Sequence, residues 1–334
     1  MPWGRWRRNT SRPGRFHATS KVRRPIIRLV AEDSVKDNKR GAVGLPAENV
    51  EALLAKTVYR VVRRLGGGNT ADVYVVRHQI LGRLFVLKVL RSHLAADPRF
   101  SDRLRFEAQA AARIHHKNVV EVVDLWISES GNPCVVMELL EGRTLGQELA
   151  VNERLPPAQA VELTKQALSG LGAAHSLGVI HRDITPENLF LHDAPGFPRT
   201  LKILDFGLAR VLPNASFRPP DPLAVPTKTG AILGSPRFMS PEAARGERVD
   251  QRADLFSLGV VLYVMLTGQG PHDAPAAHVP PPSYFDRAAI GAELDAVALR
   301  AIADRVDVRY QTAQEFSDAI ERVARLSRLP AAPR

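Results

Sequence analysis

With 334 residues and 45% apolar side chains, the chain has the composition of a globular protein and the length for one compact unit of two lobes. Its formal charge of +11 is unevenly spread: residues 1–50 hold twelve Lys/Arg against four Asp/Glu, which leaves +3 for everything after them. The longest apolar stretch, Leu255 to Leu266, falls short of the ~20 residues that span a membrane, and the single Cys134 cannot close an internal disulfide; no membrane span and a reducing, cytoplasmic setting are expected.

From Met1 to about Glu48 the sequence is rich in Arg, Pro, Gly and Ser and keeps no hydrophobic period, so residues 1–50 read as a basic tail outside any core. Its Arg-rich, acid-free opening lacks the apolar segment of a secretory signal. Trp3, Trp6 and Phe16 could stack on nucleic acid, but no motif there matches a nucleic-acid-binding fold, and a solvated extension is the stronger reading. Tyr59 to Arg63, Val73 to Arg77 and Leu84 to Val89 are short β-branched runs broken by glycine-rich turns, the pattern of an antiparallel sheet. Leu104 to Ile114 has helical spacing, and Val119 to Trp126 and Cys134 to Leu139 return to strand character. After Gly142 helices dominate: Pro157 to Ser176, Leu255 to Thr267 with Asp254 as N-cap, Glu293 to Asp304, and Thr312 to Arg325. Pro213 to Pro226 and Pro271 to Pro282 are proline-dense connections in which no helix or central strand would survive.

Between the first two strands lies Leu65-Gly-Gly-Gly-Asn-Thr-Ala-Asp-Val73. Glycines there let backbone amides approach a phosphate that side chains would push away, although a glycine run in a hairpin is by itself only a tight turn. Phe85-Val-Leu-Lys88 ends an apolar strand on a lysine, a costly placement unless a carboxylate and a phosphate meet it. Glu107, nineteen residues on in the helical run, is the expected partner. Two further segments, His181-Arg-Asp-Ile-Thr-Pro-Glu-Asn188 and Lys202-Ile-Leu-Asp-Phe-Gly207, resemble in order and spacing the catalytic and metal-binding segments of protein kinases.

With Ser240-Pro-Glu242, Asp254-Leu-Phe-Ser-Leu-Gly259 and Asp307-Val-Arg-Tyr310 in the same order, residues Thr57 to Arg325 resemble the eukaryotic-like serine/threonine protein kinases of bacteria. The resemblance implies an α+β, bilobal fold: a small antiparallel N-lobe with one helix over about 57–139, and a mainly helical C-lobe over about 142–325, with a short tail at 326–334. It implies ATP and Mg2+, with Mn2+ as a substitute, and transfer of the γ-phosphate to Ser/Thr hydroxyls in bacterial signalling, with the chain itself and unidentified proteins as acceptors. Asp183 would orient the acceptor hydroxyl and take its proton, Asp205 and Asn188 would hold the metal, and Lys88, fixed by Glu107, would contact phosphate. Leu65, Gly66, Gly67 and Gly68 would cover the nucleotide. Val73, Val86 and Phe190 would contact the base, with Met137 behind it and Glu138 to Leu140 as the hinge. Glu242 and Arg309 would form a buried ion pair and Asp254 would brace the catalytic loop. Arg182 would pair with a phosphate on the segment from Asp205 to Glu242, where Thr227 and Thr229 are the expected phosphosites, and Gly234-Ser-Pro-Arg-Phe238 resembles the acceptor-side loop of serine/threonine kinases.

Four departures stand out. Thr185 occupies a position where the family carries lysine, Ala71 replaces the third glycine, Val86 replaces an alanine above the base, and the segment from Gly268 to Leu294 is short for a substrate-docking helix. Thr185 keeps a second reading open, a nucleotide-binding scaffold with weak or no transfer activity.

Overall fold

The computed structural model describes residues 47–67, 71–90, 112–194, 196–206, 236–271, 273 and 278–326. The upper part is a five-stranded antiparallel sheet in the order β1-β2-β3-β5-β4, built from β1 (Tyr59–Gly67), β2 (Ala71–His78), β3 (Leu84–Leu90), β4 (Val122–Ile127) and β5 (Pro133–Glu138). The expected strands are all present, except that Val119 stands outside β4 and makes an isolated parallel bridge with Ile203. The helix expected over Leu104 to Ile114 lies, but for its last residues, outside the described part.

Strand alternation divides this sheet into two apolar faces. Phe85, Leu87 and Val89 of β3 and Cys134 and Val136 of β5 point to the outer face, with Tyr59, Tyr74 and Val76. Val86, Leu90, Val135 and Met137 point to the inner face, toward Leu140 and Phe190. The outer face is covered by α1 (Ala47–Leu54), whose Val50 and Leu54 are buried there. This corrects the boundary drawn from sequence: the last residues assigned to the tail are the first turn of a helix, because Val50, Leu53 and Leu54 fall on one helical stripe and the sheet supplies a surface to bury it.

Below the sheet a short three-stranded sheet, β6 (Gly142–Thr144), β7 (Leu189–His192) and β8 (Thr200–Ile203), carries the segments between helices. The helices are α2 (Leu145–Asn152), α3 (Pro157–Ser176), the short α4 (Pro241–Ala244), α5 (Gln251–Thr267), α6 (Ala292–Ala301) and α7 (Ala313–Leu326). Thr144 caps α2 with a full capping box: its side chain accepts from the Gln147 amide and the Gln147 side chain accepts from the Thr144 amide. Nearly every side chain of α5 is buried, as a helix apolar all round must be at the centre of a core. It ends at Gly268, whose φ of 77° gives the left-handed cap that only glycine adopts without cost.

The N-cap of α5 is Asp250, not Asp254 as the sequence pattern suggested. Asp254 sits in the first turn, fully buried, with its carboxylate committed to another segment. Among the described residues no helix is long and apolar enough to cross a membrane.

Candidate active site

The candidate catalytic loop, residues 181–188, is built around the Asp254 carboxylate. Its Oδ2 accepts from the His181 amide at 2.8 Å and from the His175 ring Nε2 at 2.8 Å, and its Oδ1 accepts from the Arg182 amide at 2.7 Å. Burial works against its charged form, but His175 and the backbone amides overcome it and hold the carboxyl below the ordinary aspartate range. Arg182 has φ 69°, a left-handed conformation that a residue with a Cβ adopts only when its surroundings enforce it. The two amides bound by Asp254 supply that enforcement, and they turn the next residue, Asp183, toward the cleft between sheet and helices.

Asp183 is fixed from the other side by Asn188, whose side-chain amide donates to the Asp183 backbone oxygen and to its Oδ2, both at 2.8 Å. Since the Asn188 Nδ2 is used in this way, its Oδ1 faces elsewhere and is the atom suited to a cation. Burial raises the Asp183 carboxyl above its ordinary value, and the nearby Asp205 charge adds to the rise, while His181, Asn188 and Lys88 partly offset it. His181 donates from Nε2 to the Leu204 oxygen at 2.7 Å and accepts the Asp183 amide at Nδ1, which fixes its tautomer. Its ring meets Phe206 edge-on at 4.6 Å, tying the loop to the segment that carries Asp205.

Asp205 also has a left-handed φ, 57°. The backbone before it is anchored: the Leu204 amide donates to the Asn188 oxygen, and Ile203 exchanges hydrogen bonds with the Asn118–Val120 connector. Lys88 reaches from β3 to Asp205, Nζ to Oδ2 at 2.7 Å. The partner expected from sequence, Glu107, lies outside the described residues, as does Gly68 of the glycine run. Among the described residues, the carboxylate that the lysine meets is Asp205.

Val86, Met137, Leu140 and Phe190 form one apolar cluster with Ala71, and Leu65 and Val73 pack on it. Seven residues far apart in sequence thus line one wall, six of them expected at a base site. Glu138, expected to serve through its backbone, uses its side chain to hold Lys202 at 2.5 Å and the Glu121 amide at 2.9 Å, which joins the upper sheet to β8. Gly66 and Gly67 close the end of β1 against Val73 and Asp72. Thr185 is buried, and its backbone oxygen accepts the Asn188 amide at 3.0 Å.

The residues fit a small hard cation bound together with phosphates. Among the described residues no three His, Cys, Asp or Glu side chains converge as a self-sufficient metal cage would need. The Asp205 carboxylate and the Asn188 amide oxygen are the sparse oxygen pair that Mg2+ uses when phosphate oxygens and water complete its shell.

Away from the cleft, Glu242 and Arg309 form the expected pair: Nη1 to Oε1 and Nη2 to Oε2, both 2.8 Å, with both side chains buried and the guanidinium 4.6 Å from the Phe256 ring. Arg309 also donates to the Ala303 and Asp304 oxygens. Thr227, Thr229 and the Gly234–Ser235 part of the acceptor-side loop lie outside the described residues. Sequence reasoning gave no role to His175, His181 or Lys202, although His181 and Lys202 open the two quoted motifs and only His175 lies outside them.

Residues 59–318 match the protein kinase domain family. The chain is 39% identical over 277 residues to serine/threonine-protein kinase PknB of Mycolicibacterium smegmatis, covering 79% of this chain and 43% of the relative. It is 34% identical over 301 residues to serine/threonine-protein kinase pkn3 of Myxococcus xanthus, covering 86% and 54%. The chain thus spans about half the length of the curated relatives it matches. Among solved structures, the kinase domain of Mycobacterium tuberculosis PknI superposes with a TM-score of 0.63 at 28% identity, over 79% of this chain and 96% of that one. The aspartate aimed by an amide, the second aspartate held by a strand lysine and the apolar wall beside both all lie within the matched residues, and this chain belongs to the protein kinase family.

Proposed function

We propose that the chain is an ATP-dependent serine/threonine protein kinase that takes up its nucleotide with Mg2+, or Mn2+ in its place. The observation that carries this reading is the convergence of Asp183, aimed by Asn188, with Asp205, held by Lys88. The bacterial serine/threonine kinases to which it is similar support the choice of acceptor.

Asp205 and Asn188 would hold the cation, which would supply neutralisation of the charge that spreads over the transferring group. Lys88 adds a positive charge beside the phosphates, and the apolar wall of Val73, Val86, Met137, Leu140 and Phe190 receives the base and excludes water. Asp183 accepts a hydrogen bond from the acceptor hydroxyl and takes its proton as the oxygen–phosphorus bond forms and the bond to the leaving diphosphate breaks. Its raised proton affinity suits a group that must receive that proton.

Thr185 lowers the expected rate, since a buried neutral hydroxyl stands where the family's lysine stabilises the transferring group. Loss of one such charge costs about 2 to 4 kcal/mol in the transition state. That observation favours, as a second reading, a nucleotide-binding scaffold with little transfer. Incubation of the full chain with radiolabelled ATP, Mg2+ and a generic protein acceptor decides between them. Wild type labels serine or threonine, Asp183→Asn abolishes labelling while still binding nucleotide, and Thr185→Lys raises the rate. Nucleotide binding without labelling in wild type would leave the scaffold. The reading extends to autophosphorylation at Thr227 or Thr229, to protein acceptors in bacterial signalling, and to a cytoplasmic site of action.

A further inference from the structure

The strand β8 delivers Asp205 to the cleft, and its backbone is anchored on one side only. The Leu201 amide donates to the Gln166 Oε1 at 2.7 Å, and the Leu201 oxygen accepts from the Asn118 Nδ2 at 2.8 Å. The Ile203 amide donates to the Asn118 oxygen and the Ile203 oxygen accepts the Val120 amide, both at 2.9 Å. Leu201 and Ile203 are buried, so by strand alternation the Lys202 side chain leaves the opposite face. That is the face of Phe190, its register partner on β7 and a member of the apolar wall. There the Lys202 Nζ meets the Glu138 Oε1 at 2.5 Å, with the two side chains 14% and 22% exposed. The same oxygen accepts the Glu121 amide at 2.9 Å, and the Glu138 amide donates to the Glu121 oxygen at 3.0 Å. One carboxylate oxygen is thus shared by three segments: the end of β5, the residue before β4, and β8.

We propose that Lys202 and Glu138 are positioning residues: their ion pair sets the separation between the hinge, where the base is held, and Asp205, where the cation is held. Neither side chain belongs to the apolar wall or supplies an oxygen to the cation. Glu138 opens the hinge and Lys202 stands three residues before Asp205, so the pair braces the cleft along the length of the nucleotide. A nucleotide fixed at its base presents its phosphates to the cation only when that span is right, and misplacement by an ångström is costly. The hydrogen bonds of Leu201 and Ile203 hold β8 to its neighbours from behind, and the Lys202–Glu138 pair ties the same strand forward to the hinge. Being half-buried, the pair is screened less by salt than a surface pair.

This inference rests on the ATP reading of the cleft. The test compares two probes on the full chain by calorimetric titration: adenosine, which reaches only the base end, and Mg·ATP, which spans both ends. Thermal melting is measured in parallel. Lys202→Met removes the positive charge and keeps the stem, while Glu138→Gln removes the negative charge and keeps an acceptor for the Glu121 amide. Each should weaken Mg·ATP by about tenfold, the lower end for a residue acting behind a metal ligand, and leave adenosine within about twofold. The double variant should be no weaker than either single one, because the two side chains act as a unit. Lys202→Arg should recover most of the affinity. Equal losses for the two probes, unchanged Mg·ATP affinity in the single variants, or losses that multiply in the double variant would overturn the brace. Tighter Mg·ATP binding in Lys202→Met would overturn it as well, since the pair would then restrain the cleft. A lower melting temperature with both affinities intact is the behaviour of a merely structural pair and has the same meaning. Should Lys202→Met fail to fold, Glu138→Gln decides alone, as it preserves shape and the Glu121 hydrogen bond. Failure of wild type to bind Mg·ATP would overturn the cleft's assignment instead, and is read before any variant.

Discussion

Asp254 illustrates how one buried side chain can act on chemistry it does not touch. It receives two consecutive backbone amides and one imidazole, and so stabilises the left-handed turn at Arg182 that sets the direction of Asp183. Asp254→Asn keeps the volume but presents a donor where an acceptor is needed, so the turn should relax. The expected result is a fall in kcat of about a hundredfold, the effect of misplacing a catalytic group by an ångström, with Mg·ATP affinity preserved. Steady-state kinetics alongside nucleotide titration separate the two. At the same scale, Glu242→Gln or Arg309→Met should cost about 3 to 5 kcal/mol in urea unfolding, because each leaves its partner charged and buried. Asp183, Asn188, Asp205 and the Glu242–Arg309 pair were legible in the sequence because each sits inside a run of motif residues. The Lys88–Asp205 contact was not, since pairing across 117 positions depends on how the sheet closes on β8, and no local pattern records that.

Among the elements, α3 was legible to the residue, as its proline-marked start and long apolar stripe leave little choice. The helix α1 was not, for a physical reason: eight residues cannot form a stable helix alone, and what orders them is the outer face of a sheet whose strands come later in the chain. Its contribution is correspondingly one of packing. Leu54→Ala should destabilise the protein by about 2 to 5 kcal/mol, the range for a fully buried leucine, measured by urea unfolding. The start of α5 was misplaced by four residues because the sequence offers two aspartates, and only the fold reveals that Asp254 is already bound elsewhere while Asp250 accepts the Arg252 amide.

For the molecule as a whole, two of its buried acids contribute to acid stability. Glu242 and Asp254 both have folded-state carboxyls held below their ordinary values of 4.5 and 3.8, in each case against the opposing effect of burial. A depressed carboxyl contributes stability that is fully present above its unfolded value and is lost as pH falls through the folded one. The contribution of these two carboxyls to unfolding free energy should therefore be level from neutrality to about pH 5 and decline steadily below that, so Glu242→Gln should show a shallower acid decline than wild type. A urea series from pH 3 to 7 checks both; a steeper acid limb in the variant would contradict the assignment.

The single thiol, Cys134, lies on β5 beneath α1 with no exposed surface, and its burial pushes its pKa up to about 12. Disulfide-exchange reagents can therefore attack it only in molecules whose helix has lifted or whose strands have parted. Its labelling rate is a built-in stopwatch for those openings, free of background from any other sulfhydryl, and occupancy of the cleft by nucleotide should slow it.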